Sequence, residues 1–142
     1  MPIIRKIIIL DRLKEIENSL DLITNNIPEN YGDFKNMGLI KDDIMKREEF
    51  IIQNIIDICA IISSDMKLEK PYSEYDIIDN LKKSGILSED LSSKIKEMKS
   101  LRNILLHRYG KINDELVYKS LINNLEDVEQ FVKNIKILLN KN

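Results

Sequence analysis

Near its C-terminal end the chain repeats one pattern for longer than anything else in it. Val117, Leu121, Leu125, Val128, Val132, Ile135 and Leu139 follow one another at steps of four, four, three, four, three and four. A period between three and four puts every one of these side chains on one stripe of a helix, and such a stripe is stable only against other helices. The segment therefore predicts a long helix from about Asn113 and, around it, a bundle.

The rest of the chain supplies the partners. Leu13, Ile16, Leu20, Ile23 and Ile27 predict a first helix over about residues 4–25, and Ile44, Ile51, Ile55, Ile58 and Ile62 a second from Asp42 or Asp43 to about Asp65. Arg47, Glu48, Gln53, Asn54 and Asp57 form the polar face of that second helix. Ile52, Ile56 and Ile61 widen its apolar arc beyond what one neighbour requires. Ser73 opens a short third helix that Gly85 ends in a left-handed cap, and Ser88 opens a fourth with Leu91, Ile95, Met98, Leu101 and Leu105 inward, ending at Gly110. Residues 25–39, with Pro28, Gly32 and Gly38, read as a connection with room for one helical turn. Four Gly and three Pro in 142 residues leave long helices few breakers, and no stretch alternates as a strand would. The expectation is an all-α antiparallel bundle of about five helices, built as a single domain over residues 1–142.

Composition narrows the setting. The apolar run at residues 7–10 is far too short to span a bilayer, and no signal peptide precedes it. Cys59, the one cysteine, lies among isoleucines and reads as a small core hydrophobe in a reducing, cytoplasmic protein. A net charge of −2 argues against a protein that coats nucleic acid indiscriminately. Residues 94–111 nevertheless carry six basic side chains (Lys94, Lys96, Lys99, Arg102, Arg108, Lys111) against one acid, Glu97. On charge alone, a solvated helix face accounts for such a run more readily than a polyanion site does.

Within that segment stands the one histidine, in Arg102-Asn103-Ile104-Leu105-Leu106-His107-Arg108-Tyr109. A cationic histidine near a helix C-terminus is favourable for the helix dipole alone, and an aromatic there suits plain packing. On an ideal helix Asn103 shares a face with His107, whereas Arg102 lies roughly 140° away from it. Arg102 and His107 converge only if the helix loosens before Gly110 or if a second copy of the chain brings its own pair alongside. Together with the wide arc of the second helix, this predicts a homodimer with its interface near the motif.

The string Arg-Asn, four residues, His, any residue, Tyr resembles the signature of HepT-type toxins, all-helical ribonucleases of the HEPN superfamily. The resemblance takes in Arg47, the stretch from Gln53 and Asn54 to Asp57 and Ile58, Tyr75, Gly85-Ile86-Leu87 and residues 112–118. It covers the chain from about residue 42 onward; Asn113 stands where the family more often has an acid.

The resemblance implies ribonuclease activity with Arg102 and His107 as catalytic residues and Asn103 in support. The side chains suit cleavage without metal. RNA carries its own nucleophile, the 2′-OH, so an enzyme must remove that proton, protonate the departing 5′-oxygen and stabilise charge at phosphorus. An imidazole exchanges protons near neutral pH, and a guanidinium offers a phosphate a fork of donors. Arg108, Lys99 and Lys111 are further candidates for RNA contact. No metal site or cofactor is expected, because no second His exists and the carboxylates lie on separate helices. The resemblance also implies a partner, an MntA-type nucleotidyltransferase antitoxin that transfers AMP to the Tyr109 phenol. Negative charge beside Arg102, His107 and Arg108 would oppose RNA phosphate. The alternative is a catalytically silent helical subunit that binds a nucleotidyltransferase and helps present its substrate.

Overall fold

The computed structural model describes residues 4–106 and 113–141. Among them are six helices and no strand: α1 (Lys6–Asn26), α2 (Tyr31–Lys35), α3 (Leu39–Asp65), α4 (Glu74–Lys83), α5 (Glu89–Leu106) and α6 (Asp114–Asn140). The apolar stripes read from the sequence face a shared core. Leu13, Ile16 and Ile23 of α1, Ile55, Ile58 and Ile62 of α3, Ile95 and Met98 of α5, and Val117, Leu121 and Ile135 of α6 are buried. Cys59 is buried with them, and the apolar surroundings push its thiol up to about 12, which leaves it un-ionised and inert.

Polar pairs across the bundle establish the helix directions. Along α1 and α3, Arg5 meets Asp65 and Arg12 meets Asp57. Along α4 and α5, Glu74 meets Arg102 and Asp79 meets Lys96. Numbers that rise on one helix fall on its neighbour in both cases, so each pair is antiparallel. Side chains cap three of the helix starts read from the sequence: Ser73 accepts from the Asp76 amide, Ser88 from Leu91, and Asn113 from Leu116. Gly85, at φ +82°, ends α4 in the left-handed conformation.

Two expectations need correction, while the expected bundle of about five helices is borne out: the helical turn allowed within residues 25–39 is a capped element, α2, whose Asn30 side chain accepts from the Asp33 amide. Phe34 anchors it in the core with its ring 5.0 Å from that of Tyr118, whose hydroxyl donates to the Pro28 carbonyl at 2.6 Å. The second long helix begins earlier than Asp42. Gly38, at φ +64°, turns the chain into α3 directly, and Asp42 serves instead as an acid of the first turn, where it complements the helix dipole. Finally, Glu48 and Asn54 do not belong to an exposed polar face: both are buried.

α3 is the central element, packing on α1, α4 and α5. Of the three residues that widen its apolar arc, Ile52 and Ile56 are buried within the chain and Ile61 is partly buried against the same core. That arc therefore serves intramolecular packing and no longer argues for a dimer. No helix among the described residues is long and apolar enough to cross a membrane.

Candidate functional site

Arg102 projects from α5 toward the start of α4 and the middle of α3, and its side chain is only 8% exposed. Its Nη1 donates to Gln53 Oε1 at 2.7 Å and to Glu74 Oε2 at 3.3 Å. Its Nη2 donates to Glu74 Oε1 at 2.7 Å and to Asn103 Oδ1 at 3.3 Å. Glu74 thus takes both prongs of the guanidinium in the two-point arrangement that makes arginine–carboxylate pairs strong and directional. Arg102 Nε is buried and has no hydrogen-bond partner among the described residues.

The constellation continues inward and outward. Gln53 donates through Nε2 to Asp57 at 2.8 Å, and Asp57 accepts from Arg12, which also donates to Asn54. A polar chain therefore runs from α1 through α3 to α5 and α4, using the Gln53, Asn54 and Asp57 positions that carry part of the sequence resemblance. On the outer side, Lys99 places Nζ 3.5 Å from Glu74 Oε1 and 4.2 Å from the centre of the Tyr75 ring. The Tyr75 hydroxyl lies 3.3 Å from Ser100 Oγ. Hydrogen bonding to Arg102, aided by the charges of Arg102 and Lys99, holds the Glu74 carboxyl below the usual glutamate range although burial works against it.

Of the residues singled out in the sequence, Arg102, Asn103 and Lys99 are described and brought together. Asn103 orients toward Arg102 through its carbonyl oxygen. Lys99 is not a projecting cation: its side chain is 10% exposed and engaged by Glu74 and Tyr75. His107, Arg108, Tyr109, Gly110 and Lys111 lie outside the described residues, as does the side chain of Leu105. The residue that sequence reasoning missed is Glu74. An acid in the first turn of a helix is already accounted for by the helix dipole, so nothing in one dimension marks it as the partner of an arginine 28 positions on.

The buried Arg102, with a histidine five residues later and a polar chain behind it, is chemistry looking for a family. A family model described as HepT-like, Ribonuclease HepT-like, matches residues 16–135. The chain belongs to the HepT-like ribonuclease family. The mRNA nuclease HepT of Shewanella oneidensis is 30% identical over 132 residues, which are 91% of this chain and 96% of that protein. The tRNA nuclease HepT of Aphanizomenon flos-aquae is 30% identical over 131 residues, 92% of this chain and 82% of that one. Among solved structures, the tri-AMPylated Shewanella oneidensis HEPN toxin in complex with MNT antitoxin matches with a TM-score of 0.83 and 28% identity, over 92% of this chain and 97% of its own. YutE of Bacillus subtilis, a cytosolic protein of unknown function, matches with a TM-score of 0.85 at 18% identity over 99% and 94%, a likeness of fold alone. Membership of the HepT-like family makes this chain an enzyme of the ribonuclease class, all-helical in the HEPN manner.

Proposed function

We propose that this chain is the toxin of a toxin–antitoxin pair, an endoribonuclease that needs no metal and is silenced when a cognate MntA-type nucleotidyltransferase attaches AMP to Tyr109. Arg102 and His107 carry the chemistry. His107 exchanges the proton of the 2′-OH or of the departing 5′-oxygen, and Arg102 stabilises charge on the phosphorus centre, with Asn103 in support. Arg108, Lys99 and Lys111 contribute positive charge around the RNA. The observation that carries this reading is the buried Arg102, held by Gln53 and Glu74 at the motif end of α5, in a chain similar along nearly all its length to proteins named as nucleases.

The active form is a homodimer on this reading, because Arg102 and His107 do not share a helical face. Ile104, two residues beyond Arg102, is 48% exposed, and Phe50, three before Gln53, is 40% exposed, so apolar surface is available beside the motif. The shared resemblance to a toxin captured with its MNT antitoxin supports the partner.

Expression of the chain alone should arrest growth and fragment RNA, and His107→Ala or co-expression with the transferase should abolish both effects. In purified form, cleavage should persist in excess chelator. A chain that binds the transferase but leaves RNA intact would favour the silent subunit instead, and activity lost to chelator and restored by metal would refute the metal-free mechanism.

A further inference from the structure

A guanidinium has five N–H donors, four on its terminal nitrogens and one on Nε. The four terminal donors of Arg102 are matched by four hydrogen bonds, one to Gln53, two to Glu74 and one to Asn103. The fifth, on Nε, is buried away from solvent. The fork is saturated, so an RNA phosphate can reach it only by taking the place of a partner. Resting on the assignment of Arg102 as the phosphate ligand, we propose that Glu74 holds the phosphate position on Arg102 and that RNA binding exchanges this carboxylate for a phosphate.

Glu74 is the partner built to leave. Gln53 is pinned from behind by its bond to Asp57, and Asn103 is the next residue on the same helix as Arg102. Glu74 has 35% of its side chain exposed and, among the described residues, bonds only to Arg102 and Lys99. Its two oxygens meet the fork as two phosphate oxygens would, because arginine engages both anions through the same pair of parallel N–H bonds. Departure of Glu74 would leave Arg102 and Lys99 facing one vacancy that suits a single anion. In the absence of RNA the carboxylate has a second consequence: it keeps two nearly buried cations from facing each other uncompensated, which would be strongly unfavourable. The site is thus held folded by its own acid until a phosphate arrives.

The test uses the purified full-length chain and a 2′-O-methylated RNA oligonucleotide, which binds but cannot be cleaved because its nucleophile is blocked. Glu74→Gln keeps the shape and removes the charge, and it should bind this RNA about threefold to tenfold more tightly, the range expected for removal of one partly exposed competing ion. With cleavable RNA the gain should appear in KM. Glu74→Asp, which retains the charge, should bind as weakly as the natural protein. Should Glu74→Gln fail to fold, the unaltered protein carries the test: the Glu74 carboxyl carbon resonance should shift on saturation with the methylated RNA, and an unmoved resonance overturns the exchange. Weaker or equal RNA binding by folded Glu74→Gln, with binding lost in Arg102→Ala, would overturn the exchange and leave Arg102 as the phosphate ligand. RNA binding undiminished in Arg102→Ala would remove that assignment and the exchange with it.

Discussion

Glu48 is a carboxyl enclosed by α3, α5 and α6, beside Met98, Leu121 and Asn124, and neither of its oxygens has a hydrogen-bond partner among the described residues. Burial pushes its pKa from the ordinary 4.5 up to about 8; the Asn124 amide, near the carboxyl but outside hydrogen-bond geometry, offsets this only in part. The folded chain then keeps a proton that the unfolded chain releases. The contribution of Glu48 to stability therefore falls as pH rises from about 4.5 to about 8 and levels off above, at roughly 1.4 kcal/mol for each unit of separation as an upper limit. Glu48→Gln, neutral at every pH, should melt close to the natural protein at pH 4.5 and be more stable by about 2–3 kcal/mol at pH 8.5, after allowance for relaxation around the charge. Thermal melts across that range would show it, and a difference independent of pH would mean that Glu48 is not the titrating group. Glu74 has the opposite sign: its depressed carboxyl contributes stability above the ordinary glutamate range that is lost as acid protonates it. Neither role was legible in the sequence. Periodicity places Glu48 on the outer face by its charge, and only the position of α6 decides that this face is covered. Arg102 and Asn103, by contrast, were legible because a short motif ties them to His107 regardless of packing.

At the scale of elements, the small helix α2 depends on one side chain. Phe34 is fully buried, and its contact with Tyr118 joins the segment after α1 to the first turns of α6. Phe34→Ala should cost about 3 kcal/mol in denaturant unfolding, the low end for a buried phenylalanine because a peripheral element can partly collapse into the space. It should also speed amide exchange at the N-terminal end of α6 before the rest of the bundle. A cost below about 1 kcal/mol would show that α2 docks without it. The long helices were readable because a stripe of isoleucine and leucine repeats over many turns, and the starts at Ser73, Ser88 and Asn113 because a capping side chain is a local signal. The start of α3 was not, since Gly38 acts through a backbone angle and Asp42 offered a more familiar cap. α2 was foreseen only as an optional turn, because five residues are too few to display a period.

For the molecule as a whole, regulation is expected to act at the unit that follows α5. Tyr109→Phe keeps the ring and removes the oxygen that would accept AMP, so this variant should remain a nuclease and resist neutralisation when the transferase is co-expressed. Intact-mass measurement after incubation with transferase and ATP should show one or more AMP increments on the natural chain and none on the variant. Increments on the variant, with its activity silenced, would place the acceptor elsewhere.

The pairing of the basic segment has a consequence for how such an enzyme searches a crowded cell. Lys96 is matched by Asp79, and Lys99 and Arg102 share Glu74. Cations already neutralised by their own protein attract little of the mobile ion cloud around a polyanion, and so release few counterions on contact with it. These three cations should add little to long-range attraction toward bulk nucleic acid or to the salt dependence of association. A ribonuclease whose cations are neutralised in this way is not held on every phosphate chain it meets.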